Sequence, residues 1–290
     1  MKEISVKALA KINLGLDVTG KREDGYHEVK MIMQTIHLFD RLEIKKTVSK
    51  DITITSNLSF LPVNENNLIY KAAKLLKDEF HIPDGVYVRL KKHIPVAAGM
   101  AGGSTDAAAT LYGLNRLFDL GLSKEELMER GVKIGADVPY CIMRGTALAE
   151  GIGEKLTALS PMVKCPVLVA RPQAAVSTRT VYENLKLDEK TIHPDIDRLA
   201  EDIRQKDLGK IAADMGNILE TVTIPCHPVI AEIKEHMLSH GAAGAMMSGS
   251  GPTVFGLFDQ EKTAVAAYES MRVSGLAKQV YLTSIYNNVR

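Results

Sequence analysis

The residues of this chain whose types and spacing could do chemistry gather first in Pro95 to Ala109, PVAAGMAGGSTDAAA. Gly99, Gly102 and Gly103 fall close together and are followed at once by Ser104, Thr105 and Asp106, then by an unbroken run from Ala107 to Tyr112. Glycines at this density permit positive φ and let backbone approach a ligand closely. A Ser/Thr/Asp cluster ahead of an alanine-rich run predicts a helix start. Together they would set free N–H groups and the positive end of a helix dipole at one point, which suits phosphate. The same loop could also be a turn that merely lets two elements pack. Its spacing is neither GxxxxGK[ST] nor GxGxxG, and no HRD or DFG set occurs, so three common nucleotide-binding architectures are disfavoured.

Four other places carry candidate chemistry. Lys11 and Asn13, in ALAKINLGLDV, are two apart and would share one face of a strand. A lysine inside an apolar strand is costly to bury without a partner. It is either an edge residue or an ammonium aimed into a cleft at a charged substrate. Tyr26 and His27 follow the turn signal Asp24-Gly25, at a loop mouth, as surface residues or as a binding pair. Asp137, in GADVPY, falls between a helix end and a new element near Pro139. It would cap that element or, if the glycine loop holds a nucleotide, act as an acid–base or alcohol-orienting carboxylate. Ser248 to Gly251, SGSG, reads as a hairpin turn or as a second backbone surface near a substrate. His227 beside Cys226 has no further ligand at metal spacing and reads as structural.

The elements that would position these residues follow from periodicity. Residues 4–19 alternate as a strand or strand pair, and further strands are expected at 29–38, 42–44 and 52–55. Asn66 or Asn67 caps a helix whose apolar residues from Leu68 to Phe80 recur at helical spacing. A strand over 86–92 then feeds the glycine loop, and strand, loop, helix is the order phosphate binding requires. Ser123 caps the next helix, and 145–159 suggests a hairpin. A buried strand at Val167–Ala170 opens a second domain. Ser177 and Thr178 cap a short helix, and helices are expected at 194–205, 208–220, 228–239 and 261–273. Strands flank the SGSG turn, and another follows at 279–285.

Composition narrows the classes. The 290 residues, 46% hydrophobic and 24% charged, are those of a globular protein of one large or two ordinary domains. A net charge of +1 and the absence of Trp give no footprint for nucleic acid. Lysines at 2, 7 and 11 interrupt any apolar leader, and no run approaches a membrane span. Cys141, Cys165 and Cys226, odd in number and without CxxC, read as reduced thiols of a cytoplasmic protein.

Three segments in order, ALAKINLGLDV, PVAAGMAGGSTDAAA and MSGSGPTVFGLF, resemble the three signature motifs of the GHMP kinases, small-molecule kinases that use ATP. The likeness spans almost the whole chain. With REDGYHEV, GADVPY and AEGIGE, the sequence is similar to the branch that phosphorylates 4-diphosphocytidyl-2-C-methyl-D-erythritol in the non-mevalonate isoprenoid precursor route. The resemblance implies an α/β (α+β) two-domain fold: an N-terminal ribosomal-protein-S5-like ATP-binding domain over 1–160 and a C-terminal ferredoxin-like domain over 161–290. It implies Lys11 and Asp137 as the catalytic pair. Asp137 would take or orient the proton of the C2 hydroxyl, and Lys11 would keep Asp137 ionised and offset charge on the transferred phosphoryl group.

The resemblance also implies the binding residues. Pro95, Val96, Ala97, Ala98, Gly99, Met100, Ala101, Gly102, Gly103, Ser104 and Thr105 would form the ATP phosphate loop. Asn13 would contact substrate, Tyr26 and His27 the cytosine, Tyr182 its other face with Thr178 nearby, and Ser250 and Gly251 the phosphate end. Mg²⁺ would accompany ATP, with Ser104 the loop hydroxyl considered for it. The expected protein is a monomer or homodimer, acting on a small molecule, with no nucleic acid or membrane partner. Two other readings stay open. One is a GHMP enzyme for homoserine, mevalonate or a sugar, in which the aromatic residues would hold no base. The other is a non-catalytic nucleotide binder, for which an alcohol-activating carboxylate would be superfluous.

Overall fold

The computed structural model describes residues 2–189 and 191–288. The chain forms two compact units, one of Met1–Ala10, Leu38–Val96 and Ala101–Met143, the other of Lys11–His37, Ala97–Met100 and Arg144–Arg290. Two long strands run through both, β1 (Glu3–Lys21) and β2 (His27–Thr47), and they are neighbours in one sheet. The expected break at 39–41 is absent, because Phe39, Asp40 and Arg41 continue the strand. Between the two strands Asp24 Oδ1 accepts the Tyr26 N–H at 3.0 Å and Gly25 takes a positive φ, so the Asp-Gly signal makes the turn it promised.

In the first unit β3 (Ile52–Ser56) pairs in parallel with β4 (Gly85–Lys91), which pairs antiparallel with the end of β2. Helix α1 (Leu68–Glu79) is capped by Asn67, whose side chain accepts the Ile69 N–H, and buries Ile69, Ala72, Ala73 and Leu76. It packs on α2 (Gly102–Phe118). Gly113 lets α2 lie close on β2, since a Cβ there would come 2.5 Å from Ile44 Cδ1. Helix α3 (Lys124–Val132) opens with a capping box of Ser123 and Glu126 and packs on α4 (Val138–Met143).

In the second unit β5 (Thr146–Gly151) pairs with the start of β2 and with β6 (Lys155–Ala158), the expected hairpin. The strand β7 (Pro166–Arg171) follows, then α5 (Thr178–Asn184), whose Ser177 cap accepts the Thr180 N–H. After α6 (Ile196–Gln205) the structure departs from the expected helix at 208–220. Helix α7 stops at Asp214 (Leu208–Asp214), and β8 (Gly216–Asn217) pairs in parallel with Gly15 and Leu16 of β1 before α8 (Glu220–Cys226) begins. A glycine followed by an asparagine breaks the helix, and apolar spacing on both sides hid the break.

Helix α9 (Val229–Ser239), β9 (Gly244–Met247), β10 (Val254–Leu257), α10 (Glu261–Val273) and β11 (Gln279–Ser284) complete the unit. The sheet order is β11-β7-β10-β9, antiparallel throughout, and α9 and α10 pack against it. Val167 to Ala170, Phe255 and Leu257 form its buried layer. Among the described residues no helix is long and apolar enough to cross a membrane.

Candidate active site

Lys11 and Asn13 sit on β1 and are both buried, so Lys11 is no edge lysine. Lys11 Nζ donates to Asn13 Oδ1 at 2.6 Å, and Asn13 Nδ2 reaches Met31 Sδ at 3.2 Å. The strand alternation that puts both on one face thus makes the amide the partner of the ammonium. Among the described residues no carboxylate lies within ion-pair distance of Lys11.

The glycine segment joins this strand within the second unit. Lys11 N–H donates to the Met100 carbonyl at 3.3 Å. Ser248 Oγ donates to the Gly99 carbonyl at 2.9 Å, so the third motif rests on the second. A Cβ at Gly99 would fall 2.0 Å from the Ser248 carbonyl oxygen, and φ there is +72°. No side chain fits. The turn itself is a hairpin loop: Ser248 N–H donates to the Thr253 carbonyl at 2.9 Å and Gly251 N–H to the Ser248 carbonyl at 3.0 Å. The hairpin reading therefore holds, and the turn packs on the glycine segment, with the Cβ position of Gly249 3.6 Å from Asn13 Oδ1.

Asn217 was invisible in the sequence, lost inside an expected helix. Its Nδ2 donates to the carbonyls of Met247 and Gly249 at 2.9 and 2.8 Å, and its Oδ1 accepts the Leu219 N–H. It anchors the third motif to the two-residue strand beside β1. The remaining second-unit candidates also meet. Thr178 and Ser250 share a hydroxyl–hydroxyl hydrogen bond of 2.8 Å. The His27 and Tyr182 rings lie 5.2 Å apart, tilted by 39°. A base between them would need roughly 7 Å, two contacts of about 3.5 Å each, so the rings must part to admit one. Burial, then the Lys21 ammonium, lowers the His27 imidazole from its usual range. Tyr26 is exposed.

In the first unit the helix α2 begins at Gly102, earlier than the Ser/Thr/Asp cluster implied. Gly102 and Gly103 stand in its first turn, where backbone N–H groups have no intrahelical partner. Ala101 stands at the cap in the left-handed region, with φ 54°, and makes no side-chain capping bond. Ala97 is left-handed too, with φ 49°. Alanine at such angles is sparsely populated and persists where its surroundings impose it. Pro95 is buried and Val96 half-buried at the loop entrance, and Ala98 and Met100 are buried within it.

The cluster residues divide. Thr105 is buried and its Oγ donates to the Leu9 carbonyl at 2.7 Å. Ser104 is half-buried with no hydrogen-bond partner for its hydroxyl among the described residues. Asp106 is buried and takes an ion pair from Lys92, 2.7 Å from its Oδ2. Lys92 also pairs with Asp40, and neither residue stood out in the sequence, where Lys92 is only the last residue of the strand expected over 86–92. Asp137 is half-buried at the start of α4, its carbonyl accepting the Cys141 N–H. Its carboxylate caps nothing and has no hydrogen-bond or ion-pair partner among the described residues.

Comparison with known proteins follows this geometry. The model for the GHMP kinases N terminal domain matches residues 67–145, and that for the GHMP kinases C terminal matches residues 199–275. The chain is similar to the 4-diphosphocytidyl-2-C-methyl-D-erythritol kinase of Lachnoclostridium phytofermentans, 58% identical over 99% of both chains. The enzyme of the same name from Lachnospira eligens is 56% identical, again over 99% of both. Among solved structures, a crystal structure of 4-(cytidine 5'-diphospho)-2C-methyl-D-erythritol kinase superposes with a TM-score of 0.85 at 31% identity, covering 98% of this chain and 100% of that one. A homoserine kinase from Cytophaga hutchinsonii shares the fold, with a TM-score of 0.78 at 20% identity, covering 98% and 95%. The chain belongs to the GHMP kinase family and, within it, to the 4-diphosphocytidyl-2-C-methyl-D-erythritol kinases.

Proposed function

We infer that this chain transfers the γ-phosphoryl group of ATP to the C2 hydroxyl of 4-diphosphocytidyl-2-C-methyl-D-erythritol, giving the 2-phosphate and ADP in the non-mevalonate route to isoprenoid precursors. The observation that carries this reading beyond a generic small-molecule kinase is the His27–Tyr182 ring pair beside the Asp24-Gly25 turn. An enzyme for mevalonate, homoserine or galactose has no base to place there. The near-complete overlap with relatives of that name supports the same substrate.

The roles follow from what each group can offer. Asp137, uncommitted to the fold, takes the proton of the attacking hydroxyl or orients it. Lys11, a buried ammonium whose hydrogen-bond partner is a neutral amide, lends its charge to the reacting groups. Asn13 fixes that ammonium and faces the substrate. Pro95 to Thr105 hold the ATP phosphates through uncapped N–H groups at the start of α2. Ser250 and Gly251 border the phosphate end, with Thr178 bonded to Ser250. His27, Tyr26 and Tyr182 hold the cytosine. Catalysis is then largely positioning and charge stabilisation, as in phosphoryl transfer generally.

Mg²⁺ takes oxygen ligands, and the Ser104 hydroxyl, half-buried and without a hydrogen-bond partner among the described residues, is one such donor in the loop. Among the described residues no cluster of three or more His, Cys, Asp or Glu could make a dedicated cage. Mg²⁺ commonly keeps waters and substrate phosphates as ligands and asks little of the protein. Ser104 would hold it, and the ion, when bound, supplies charge neutralisation at the phosphates. The three cysteines are free, which fits a reducing, cytoplasmic setting.

The test is ADP release from Mg-ATP with 4-diphosphocytidyl-2-C-methyl-D-erythritol, run beside mevalonate, homoserine and galactose, with Asp137→Asn as the blank. Turnover confined to the cytidine substrate and lost by about a thousandfold in the blank is expected. Turnover on another alcohol would remove the cytosine pocket. A near-normal Asp137→Asn would remove the carboxylate from the mechanism.

A further inference from the structure

We propose that Lys92 is a positioning residue for the ATP phosphate loop, tying the strand end that enters the loop to the helix turn that leaves it. The proposal rests on reading Pro95–Thr105 as that loop. On the entering side Asp40 Oδ1 accepts the N–H groups of His93 at 2.5 Å and Ile94 at 2.8 Å, and Asp40 Oδ2 pairs with Lys92 Nζ. Asn57 holds the Lys92 backbone at both polar groups: its Oδ1 accepts the N–H at 2.7 Å and its Nδ2 donates to the carbonyl at 3.1 Å. On the leaving side Lys92 Nζ donates to Asp106 Oδ2 at 2.7 Å and lies 3.0 Å from where a Cβ of Gly102 would stand. One ammonium thus touches both flanks, and all three charged side chains are buried.

Stability alone does not call for such a triad. Apolar residues of similar volume commonly do as well or better in a core. The loop, by contrast, needs outside support. Two of its alanines are left-handed, and its helix start has no capping side chain to fix the direction of the N–H groups. The Lys92–Asp106 bond sets the first turns of α2 against the strand end, and that angle decides where those N–H groups point. The Asp106 carboxyl shows how closely the triad is enclosed. Burial, opposed by Lys92 and helped by Asp40, pushes it well above the usual range, and its Oδ1 has no hydrogen-bond partner.

The experiment measures Mg-ATP binding by calorimetry and the two Michaelis constants in turnover, for the unaltered protein, Lys92→Met and Asp106→Ala. Lys92→Met keeps the stem length and removes the charge, and Asp106→Ala leaves a good helix former in α2. We expect the ATP dissociation constant to rise about tenfold in Lys92→Met and about threefold in Asp106→Ala, with the KM for the alcohol substrate held within about twofold. Lys92→Met binding ATP as tightly as the unaltered protein would overturn the proposal, whatever happens to its Tm. Equal damage to both Michaelis constants would overturn it too, since that is the signature of a general structural role. If Lys92→Met does not fold, Asp106→Ala decides by the same criteria. An unaltered protein that binds no Mg-ATP would instead sink the phosphate-loop reading, and this proposal with it.

Discussion

Two lysines of this chain are buried to the same degree, Lys11 at 6% and Lys92 at 7% exposure, and they are solvated by opposite means. Lys92 has two carboxylates, Asp40 and Asp106, within ion-pair distance. Lys11 has the neutral oxygen of Asn13 at 2.6 Å and, among the described residues, no carboxylate at all. The charge of Lys92 is used up inside the fold, so what it can offer is geometry. That of Lys11 is left over. A buried ammonium without a counter-charge costs free energy that packing does not return. Such a residue makes sense where an anion arrives, as a phosphate does in a kinase. Burial is therefore no guide to function here, and the partner is.

The largest expected effect tests that contrast directly. Lys11→Met should lower turnover by about a thousandfold, roughly 4 kcal/mol of transition-state stabilisation, with Tm unchanged or raised. Lys92→Met should do the reverse to the fold. Breaking a buried pair by removing one partner typically costs about 3–5 kcal/mol. For a chain of this size that is a fall in Tm of roughly 10 °C. Thermal unfolding and turnover on the same two preparations decide it. Equal losses of Tm would put both lysines in one structural class and end the comparison.

Gly99→Ala sharpens it at the place where the second motif meets the third. The new Cβ would be 2.0 Å from the Ser248 carbonyl oxygen, on backbone at φ +72°. Backbone on both sides leaves nothing flexible to yield, so the Ser248–Gly99 contact must open. A loss of about 2–4 kcal/mol is expected from clash and strain together. Because Met100 is bonded to Lys11 N–H, turnover should fall along with stability. A variant of normal Tm and lowered turnover would mean the contact serves the site without serving the fold.

Much of this was legible in the chain, and the exceptions have physical causes. The Asp-Gly turn, the Asn67 and Ser177 caps, the Ser123 capping box and the strand–loop–helix order were readable because each is a local interaction between near neighbours. Lys11 and Asn13 could be paired because a strand puts alternate residues on one face. The family likeness then supplied the expected role of Tyr182 and paired Lys11 with Asp137, which its place before Pro139 had already made a candidate acid–base carboxylate. Lys92 and Asp40 were missed because their meeting spans 52 positions. A lysine next to another lysine also looks solvated. The two-residue β8 was missed because strand pairing to β1 is a tertiary event with no local signal. Asn217 went with it.

The smallest effect concerns a third basic side chain, His27, which differs from both lysines in being able to discard its charge. Burial, then the Lys21 ammonium, lowers its pKa below the usual 6.5. The native ring thus binds fewer protons than the unfolded one between the lowered value and 6.5, and folding stability from this group rises with pH across that window. Above 6.5 the ring is neutral and offers cytosine a stacking face instead of a charge. The KM for the alcohol substrate should therefore be flat from about pH 8 to 6.5 and rise as pH falls through the lowered pKa. His27→Phe should keep the stack and lose the pH dependence. His27→Ala should raise that KM by about tenfold at every pH while leaving the ATP constant alone. Were KM to fall with acid, a charged imidazole would be the binding form, and His27 would belong with Lys11 as a cation kept for an anion.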